Sequence, residues 1–257
     1  MSDRVLVTRA ADQAAELVAA LREVALAPVL VPSIAVELVP PAALLAAAAA
    51  AGLGSHRWIV VTSANGARAI LAASGESQGI RRRDAPAWAA VGTESGRVLE
   101  AAGFVVGFRP RESTAAALAA ELPLVAGDRV LVVRGDQAGG RLATALRVRG
   151  AAVDDVVAYR TLEAPESSRP LLREALSAGQ VAATVFTSGS TVRGLVALGE
   201  TESIDVRSIP AVCIGRATAD EARAAGFPIL AIASTPNAAD LAAATAGALG
   251  LRALETA

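Results

Sequence analysis

Short runs of apolar residues alternate along the chain with stretches in which apolar residues recur at helical spacing. "RVLVT" (4–8) predicts a strand, and the pattern after it predicts a helix from about residue 12 to 23. "PVLVP" (28–32), "WIVVT" (58–62), "AWAAV" (87–91) and "DRVLVV" (128–133) predict further strands, and helical patterning returns between them. The second half repeats the theme with "ATVFT" (183–187), "PAVCI" (210–214) and "FPILAI" (227–232). These strands are apolar throughout, as strands are when both faces are buried. Separated by helices, they predict parallel sheets covered on both sides. The alanine-rich stretch 42–51 and "RPLLREAL" (169–176) read as helices. Thr235 with Pro236 at the first helical position predicts one helix start, and Ser113 or Thr114 caps the helix ending near Leu122.

The pattern repeats at long range. Residues 4–37 resemble 129–163, and "WIVVTSANGARAIL" (58–71) resembles "ATVFTSGSTVRGLV" (183–196). "AVGTESGRVLEAAGF" (90–104) resembles "CIGRATADEARAAGF" (213–227), and "RESTAAALAAEL" (111–122) resembles "ASTPNAADLAAAT" (233–245). The units therefore run A B C D A′ B′ C′ D′. That period is far too long for a solenoid and predicts two similar α/β lobes.

Small polar residues gather where each strand gives way to a helix. The junctions are Thr8-Arg9, Thr62-Ser63-Ala64-Asn65, Gly92-Thr93-Glu94-Ser95, Arg134-Gly135 with the nearby Arg141, Thr187-Ser188-Gly189-Ser190, and Gly215-Arg216-Ala217-Thr218. At any single junction Ser, Thr or Asn ordinarily caps the helix. In parallel sheets, however, ligands sit beyond the carboxyl ends of the strands, and helix N-termini there favour anions. Repetition on both lobes points to a cleft for a polyanionic ligand.

Composition narrows the chemistry. The 257 residues allow one large domain or two smaller ones, and 53% hydrophobic against 19% charged content supplies a full core. No apolar stretch reaches the roughly 20 residues of a membrane span. "MSDRVLVTRA" is not a secretory signal, so a cytoplasmic protein is the expectation. A net charge of −1 favours neither nucleic acid nor anionic membrane. All 24 basic residues are Arg, which excludes lysine Schiff bases and a P-loop lysine. With one His, multi-His zinc sites and His-based triads have almost nothing to build on, and with one Cys there is no intrachain disulfide. "RGDQAGGRL" lacks the spacing of a dinucleotide site. His56, in the polar turn "GSHRW", is expected to face solvent, Cys213 to be buried, and Trp58 and Trp88 to pack against helices. Tyr159, the single tyrosine, lies in "VVAYRTL", where packing is the ordinary role of a strand tyrosine.

"VLVTRA", "TSANGARA", "AVGTES", "VLVVRGDQAGGRLATALRVRGAAVDDVVAYRT", "VFTSGSTVRG", "CIGRATADEARAAGF" and "STPNAADLAAA", in this order and spacing, resemble the uroporphyrinogen-III synthase family over essentially the whole chain. The resemblance implies an α/β fold of two flavodoxin-like lobes with parallel sheets, joined by a two-stranded linker. Lobe 1 is expected at 1–34 plus 164–257, lobe 2 at 40–155, and the linker strands at 35–39 and 156–163. Unit A would then pack with B′, C′ and D′, and A′ with B, C and D, the two crossings forming a hinge.

The implied reaction is cyclisation of hydroxymethylbilane, with ring D inverted through a spiro intermediate and water released. It needs no cofactor and no metal. Tyr159 matches the family's linker tyrosine, implying a hydrogen-bond donor to the departing hydroxyl. Ser63, Ser95, Ser190 and Thr218 match its cleft hydroxyls. Arg9, Ala64, Asn65, Gly92, Arg134, Gly135, Ser188 and Gly215 complete the implied substrate-binding set, with Arg141 and Arg216 as further carboxylate ligands. The chain departs from the family pattern at Glu94 and Gly189. A monomer is expected, with room for a transient contact with the preceding pathway enzyme. The competing readings are a two-lobed cytoplasmic anionic-ligand-binding or sensor protein without catalysis, and a two-lobed sugar transferase. Isomer analysis of the cyclised product separates the first reading from both.

Overall fold

The computed structural model describes residues 3–38, 42–52, 54–74 and 86–250. The first elements are β1 (Arg4–Val7), α1 (Ala15–Glu23), β2 (Ala27–Leu30), β3 (Ile34–Leu38) and α2 (Ala42–Gly52). Next come β4 (Trp58–Val61), α3 (Ala64–Ser74), β5 (Ala87–Ala90), α4 (Thr93–Ala101), β6 (Val106–Phe108) and α5 (Ala115–Glu121). The middle of the chain forms β7 (Arg129–Gly135), α6 (Arg141–Val148), β8 (Ala152–Glu163) and α7 (Ser168–Ser177). It ends with β9 (Ala183–Phe186), α8 (Gly189–Glu202), β10 (Ala211–Cys213), α9 (Arg216–Ala224), β11 (Ile229–Ile232) and α10 (Ala238–Ala248). The helix expected from about residue 12 opens as a single 3-10 turn, Ala11–Gln13, before α1.

The chain divides into two compact units, one up to Ala35 and again from Leu162, the other Val36–Thr161. Both divisions fall inside strands, β3 and β8, which are neighbours in one sheet. The expected linker residue 39 and lobe residue 40 lie outside the described residues. The first unit's sheet runs β2-β1-β9-β10-β11, the flavodoxin order, and its paired strands are parallel. The second unit's sheet runs β3-β8-β7-β4-β5-β6. With β3 set aside and β7 and β8 counted first, the order is the same. The second unit is a circular permutation of the first.

Each central strand feeds two cores, which is why the strands are apolar without alternation. Leu6 packs with Leu172, Val192 and Leu195 from α7 and α8. Its neighbours Val5 and Val7 point the other way, onto Leu17, Leu21 and Leu241 from α1 and α10. In the second unit Ile59, Val61, Leu131 and Val133 meet Leu44, Ile70 and Leu99 from α2, α3 and α4. Trp58, Val60, Val130 and Val132 meet Leu118 from α5 and Leu142 and Leu146 from α6. Each such buried side chain contributes about 1.5–3 kcal/mol. Trp58 also meets Phe108 edge-on at 6.4 Å, and Trp88 lies 5.0 Å from Phe104. Cys213 is fully buried, and burial pushes its thiol up to about 11.

Two local expectations are corrected. His56 does not face solvent: its side chain is fully buried, with Nε2 2.7 Å from Asp154 Oδ2 and Nδ1 2.9 Å from Ser55 Oγ. Asp154 lies on β8 and also accepts from Arg129 Nη2 at 2.9 Å. A polar turn residue can be buried once both its ring nitrogens find partners. Here the carboxylate comes from a strand far along the chain. The helix start assigned to Thr235 falls instead at Asn237, whose Oδ1 accepts from Asp240 N–H at 2.8 Å. Thr235 instead donates its hydroxyl to the Asp240 carboxylate, at 2.7 Å. Thr114 is the cap of α5, accepting from Ala117 N–H at 3.1 Å.

Candidate active site

In each sheet the strand order reverses once, and ligands of such sheets bind outside the carboxyl ends at that reversal. In the second unit the reversal lies between β4 and β7. Ser63 follows β4, and its Oγ accepts the Gly66 N–H at 3.0 Å, capping the first turn of α3. The same oxygen lies 2.8 Å from Tyr159 Oη. The cap is therefore also half of a hydroxyl pair.

Tyr159 reaches Ser63 because of an irregularity in β8. Arg134 of β7 pairs with Val157, but Gly135 pairs with Tyr159. The extra residue, Ala158, makes a bulge, a device that re-aims side chains next to functional sites. Gly135 then makes room for the ring. A Cβ there would lie 2.5 Å from Tyr159 Cζ and 2.7 Å from Oη. Tyr159 is half-buried and packs on the β4–α3 core.

Burial raises the phenol above its ordinary value near 10, the Ser63 hydrogen bond opposes this, and the negative charge of Asp136 adds to the rise. Tyr159 therefore keeps its proton at neutral pH. The two hydroxyls hold two protons, and one is used in the bond between them. Whichever oxygen donates, one O–H remains to point outward. The pair is equipped to donate a hydrogen bond and is a poor base.

The other expected residues fall into distinct settings. Arg134 is a bidentate partner of Asp155, through Nε at 2.7 Å and Nη2 at 3.1 Å, and each side chain is 15% exposed. Its Nη1 also donates to the Gly135 carbonyl at 3.2 Å. Its charge is thus largely committed to holding β7 to β8. Ala64 and Asn65 form the first turn of α3, and Asn65 Oδ1 accepts from Arg68 at 3.0 Å. Gly92 begins α4 without a side-chain cap, with open space where a Cβ would stand, and Ser95 is buried one turn in. Glu94 pairs with Arg97 at 3.6 Å on the surface, a contact worth little.

The first unit carries a parallel arrangement between β1 and β9. Ser188 caps α8 in a reciprocal box with Thr191, and its Oγ lies 2.9 Å from Ser190 Oγ. Gly215 begins α9 without a side-chain cap and again with open space at Cβ, while Thr218 is buried in the first turn. Thr8 is fully buried and donates to the Val185 carbonyl at 2.8 Å, a structural role. A Cβ on Gly189 would meet Glu221 at 3.3 Å and Arg193 at 3.4 Å, so this position is crowded. The side chains of Arg9, Arg141 and Arg216 make no ion pair or hydrogen bond among the described residues.

Sequence reasoning missed Asp136. Its Oδ1 accepts from Gln137 N–H at 2.9 Å and from Thr161 N–H at 3.2 Å, tying the turn after β7 to β8 beyond Tyr159. The only sequence signal was an acidic residue in the turn "RGDQ" immediately after a strand. Among the described residues no group of His, Cys, Asp and Glu has the arrangement of a metal site, and no helix is long and apolar enough to cross a membrane.

Two flavodoxin-ordered sheets crossed twice by the chain, with hydroxyls and glycine helix starts at the strand ends, define a two-unit α/β protein. The family model for uroporphyrinogen-III synthase HemD matches residues 15–243. The chain belongs to the uroporphyrinogen-III synthase family, cyclising lyases of haem biosynthesis. It is 34% identical over 205 residues to a uroporphyrinogen-III synthase of Synechococcus elongatus, covering 76% of this chain and 74% of that one. It is 30% identical over 227 residues to the porphyrin biosynthesis protein HemD of Ruminiclostridium josui, covering 86% of this chain but only 44% of that longer protein. Among solved structures, a mutant uroporphyrinogen III synthase of Thermus thermophilus matches in fold with a TM-score of 0.68 at 23% identity, covering 98% of this chain and all of that one. The Helicobacter pylori enzyme matches with a TM-score of 0.62 at 17% identity, with the same coverage.

Proposed function

We propose that this chain cyclises hydroxymethylbilane to uroporphyrinogen III, with Tyr159 donating a hydrogen bond to the departing hydroxyl. The observation that carries this reading is the Tyr159–Ser63 hydroxyl pair, held over Gly135 by the β8 bulge. The electron pair of a pyrrole nitrogen expels the hydroxyl, the C–O bond breaks, and the oxygen leaves as water once protonated. The azafulvenium cation so formed is attacked by the substituted carbon of ring D. The spiro intermediate fragments and closes again through the free carbon, and loss of that carbon's proton restores the aromatic ring. Electrons come from the substrate throughout, so positioning and charge stabilisation are the protein's tasks. A phenol kept protonated by burial and by Asp136 suits donation.

Carboxylates of the substrate are assigned to backbone N–H groups at the helix starts, Ala64 and Asn65, Gly92 and Ser95, Ser190, and Gly215 and Thr218, while Ser188, whose N–H is held by Thr191 Oγ1, offers its hydroxyl. A negative group at such a start gains about 0.3–1 kcal/mol. Side-chain substitutions there therefore cost little individually. Arg9, Arg141 and Arg216 supply additional positive charge, and Arg134 with Gly135 shapes the seat of Tyr159. The reaction is placed in the cytoplasm, on a monomer. The linear bilane closes spontaneously to the type I isomer, so a transient hand-over from the preceding pathway enzyme fits this chemistry. A non-catalytic anion sensor gives no account of a protonated phenol aimed at a capping serine.

Tyr159→Phe tests the assignment. The wild-type chain should close the bilane faster than the spontaneous background, and the variant should be about tenfold slower, the worth of one good hydrogen bond. An unchanged closure rate removes Tyr159 from the mechanism.

A further inference from the structure

We propose that Asp136 is a positioning residue for Tyr159, fixing β8 downstream of its bulge and facing the phenol with a negative charge. A bulge leaves its extra residue unpaired and disrupts the ladder locally. Here the β7–β8 ladder ends at the Gly135–Tyr159 pair, and β7 itself stops at Gly135. Two residues further on, the Thr161 N–H has no β7 residue to bond to. Asp136 Oδ1 takes that proton at 3.2 Å and, through the Gln137 N–H at 2.9 Å, is itself fixed in its turn. β8 is thereby tied to the β7 side at Tyr159, by the Gly135 pairing, and two residues beyond it, by Asp136.

Of Asp136 and Asp155, only Asp155 has a cationic partner among the described residues. Arg134 on β7 and Asp155 on β8 neutralise each other bidentately. Arg68 on α3 donates to Asn65. Arg160 follows the tyrosine and is exposed. Asp136 is exposed and bonded only to backbone N–H groups among the described residues. Its field favours the protonated phenol, in the same direction as burial does. Neither Asp136 nor Thr161 stood among the residues expected at the site.

The link to catalysis rests on the role of Tyr159 given above, but the positioning can be read without substrate. Tyr159 is the single tyrosine of the chain, so phenolate absorbance in an alkaline titration reports on it alone. Asp136→Asn keeps an oxygen acceptor for both N–H groups and removes the charge. Its phenol should ionise at a lower pH than in the wild type. Asp136→Ala loses anchor and charge together. It should show the same downward shift and, in addition, a closure kcat reduced several-fold, up to the roughly tenfold loss of Tyr159→Phe, at little-changed KM. Asp136→Asn should retain most of that rate. Phenol midpoints equal in the wild type and both variants overturn the inference. Shifted midpoints with an unchanged Asp136→Ala rate overturn the anchoring where Tyr159→Phe slows closure, and count against Tyr159 as the group acting on the bilane where Tyr159→Phe does not.

Discussion

Replacing Gly135 by alanine probes the seat of Tyr159 directly. The glycine has φ −80° and ψ 163°, a backbone conformation open to any residue, so alanine introduces no torsional strain. The whole cost comes from the ring. The new methyl would lie 2.5 Å from Cζ, 2.7 Å from Oη and 2.8 Å from Cε2, whereas ordinary contact begins near 3.4 Å. The ring must therefore retreat by about 1 Å, the difference between contact distance and the clash. Overpacking of this kind costs about 1–3 kcal/mol, and at about 2–4 °C per kcal/mol the melting temperature should fall by roughly 2–12 °C. The 2.8 Å bond to Ser63 cannot survive such a shift, because a hydroxyl pair about 1 Å further apart is no longer hydrogen-bonded. Closure of the bilane should then slow to the level of Tyr159→Phe. The assay is a double-mutant cycle, measuring melting temperature and denaturant midpoint for Gly135→Ala with Tyr159 present and with Tyr159→Ala. With the ring gone the clash is gone, and the methyl enters vacated space. The coupling should be at least about 1 kcal/mol. Equal costs in the two backgrounds, or a Gly135→Ala enzyme with full closure rate, would refute the reasoning.

Three further outcomes follow from the same structure. Gly194→Ala would set a Cβ 2.0 Å from the Ser33 carbonyl oxygen. Backbone cannot yield as a side-chain tip does, so the first unit should lose about 1–3 kcal/mol or more in denaturant melts. Asn237→Ala removes the cap of α10 and should cost about 1 kcal/mol, read by the same melts. The third concerns Asp154. Burial alone would raise its carboxyl, but the hydrogen bonds and charges of His56 and Arg129 outweigh this and hold it below the usual carboxylate value. A lowered folded-state value means the stabilisation is complete above the ordinary carboxylate range near pH 4 and is lost as pH falls through the lowered value. The stability gap between the wild type and Asp154→Asn should therefore narrow as pH falls below about 4. A gap that is constant down to pH 2 would contradict this.

Much of the fold could be read from the chain because doubly covered strands must be apolar on both faces. "WIVV" and "ATVF" are buried at all four positions, and both were evident as strands. The internal repeat gave two similar lobes, whereas the permuted pairing of β1 with β9 and of β7 with β4 was implied only by the family resemblance, because a tandem order of units fits uncrossed packing equally well. What escaped was set by contacts distant in sequence. β8 extends over 12 residues and includes Asp154 and Asp155. Their polarity hid the first part of the strand, because each is neutralised by a partner on another element: Asp154 by His56 and Arg129, Asp155 by Arg134. The same pairing explains why Arg134 looked like a ligand for substrate carboxylates and yet has its charge engaged. His56 seemed solvent-facing because its carboxylate lies 98 residues away. At the candidate site, Ser63 and Tyr159 were each visible as candidates, but their bond spans 96 residues and depends on a one-residue bulge. No periodicity signals a bulge, and so the roles of Gly135 as the ring's seat and of Asp136 as its anchor emerged only with the fold.

The most direct test of the account is the isomer produced from hydroxymethylbilane. The purified chain is supplied with the linear bilane, the product is oxidised, and the type I and type III porphyrins are separated. The account predicts predominantly the type III isomer, formed faster than the spontaneous background. Only the type I isomer, at the spontaneous rate, would contradict it.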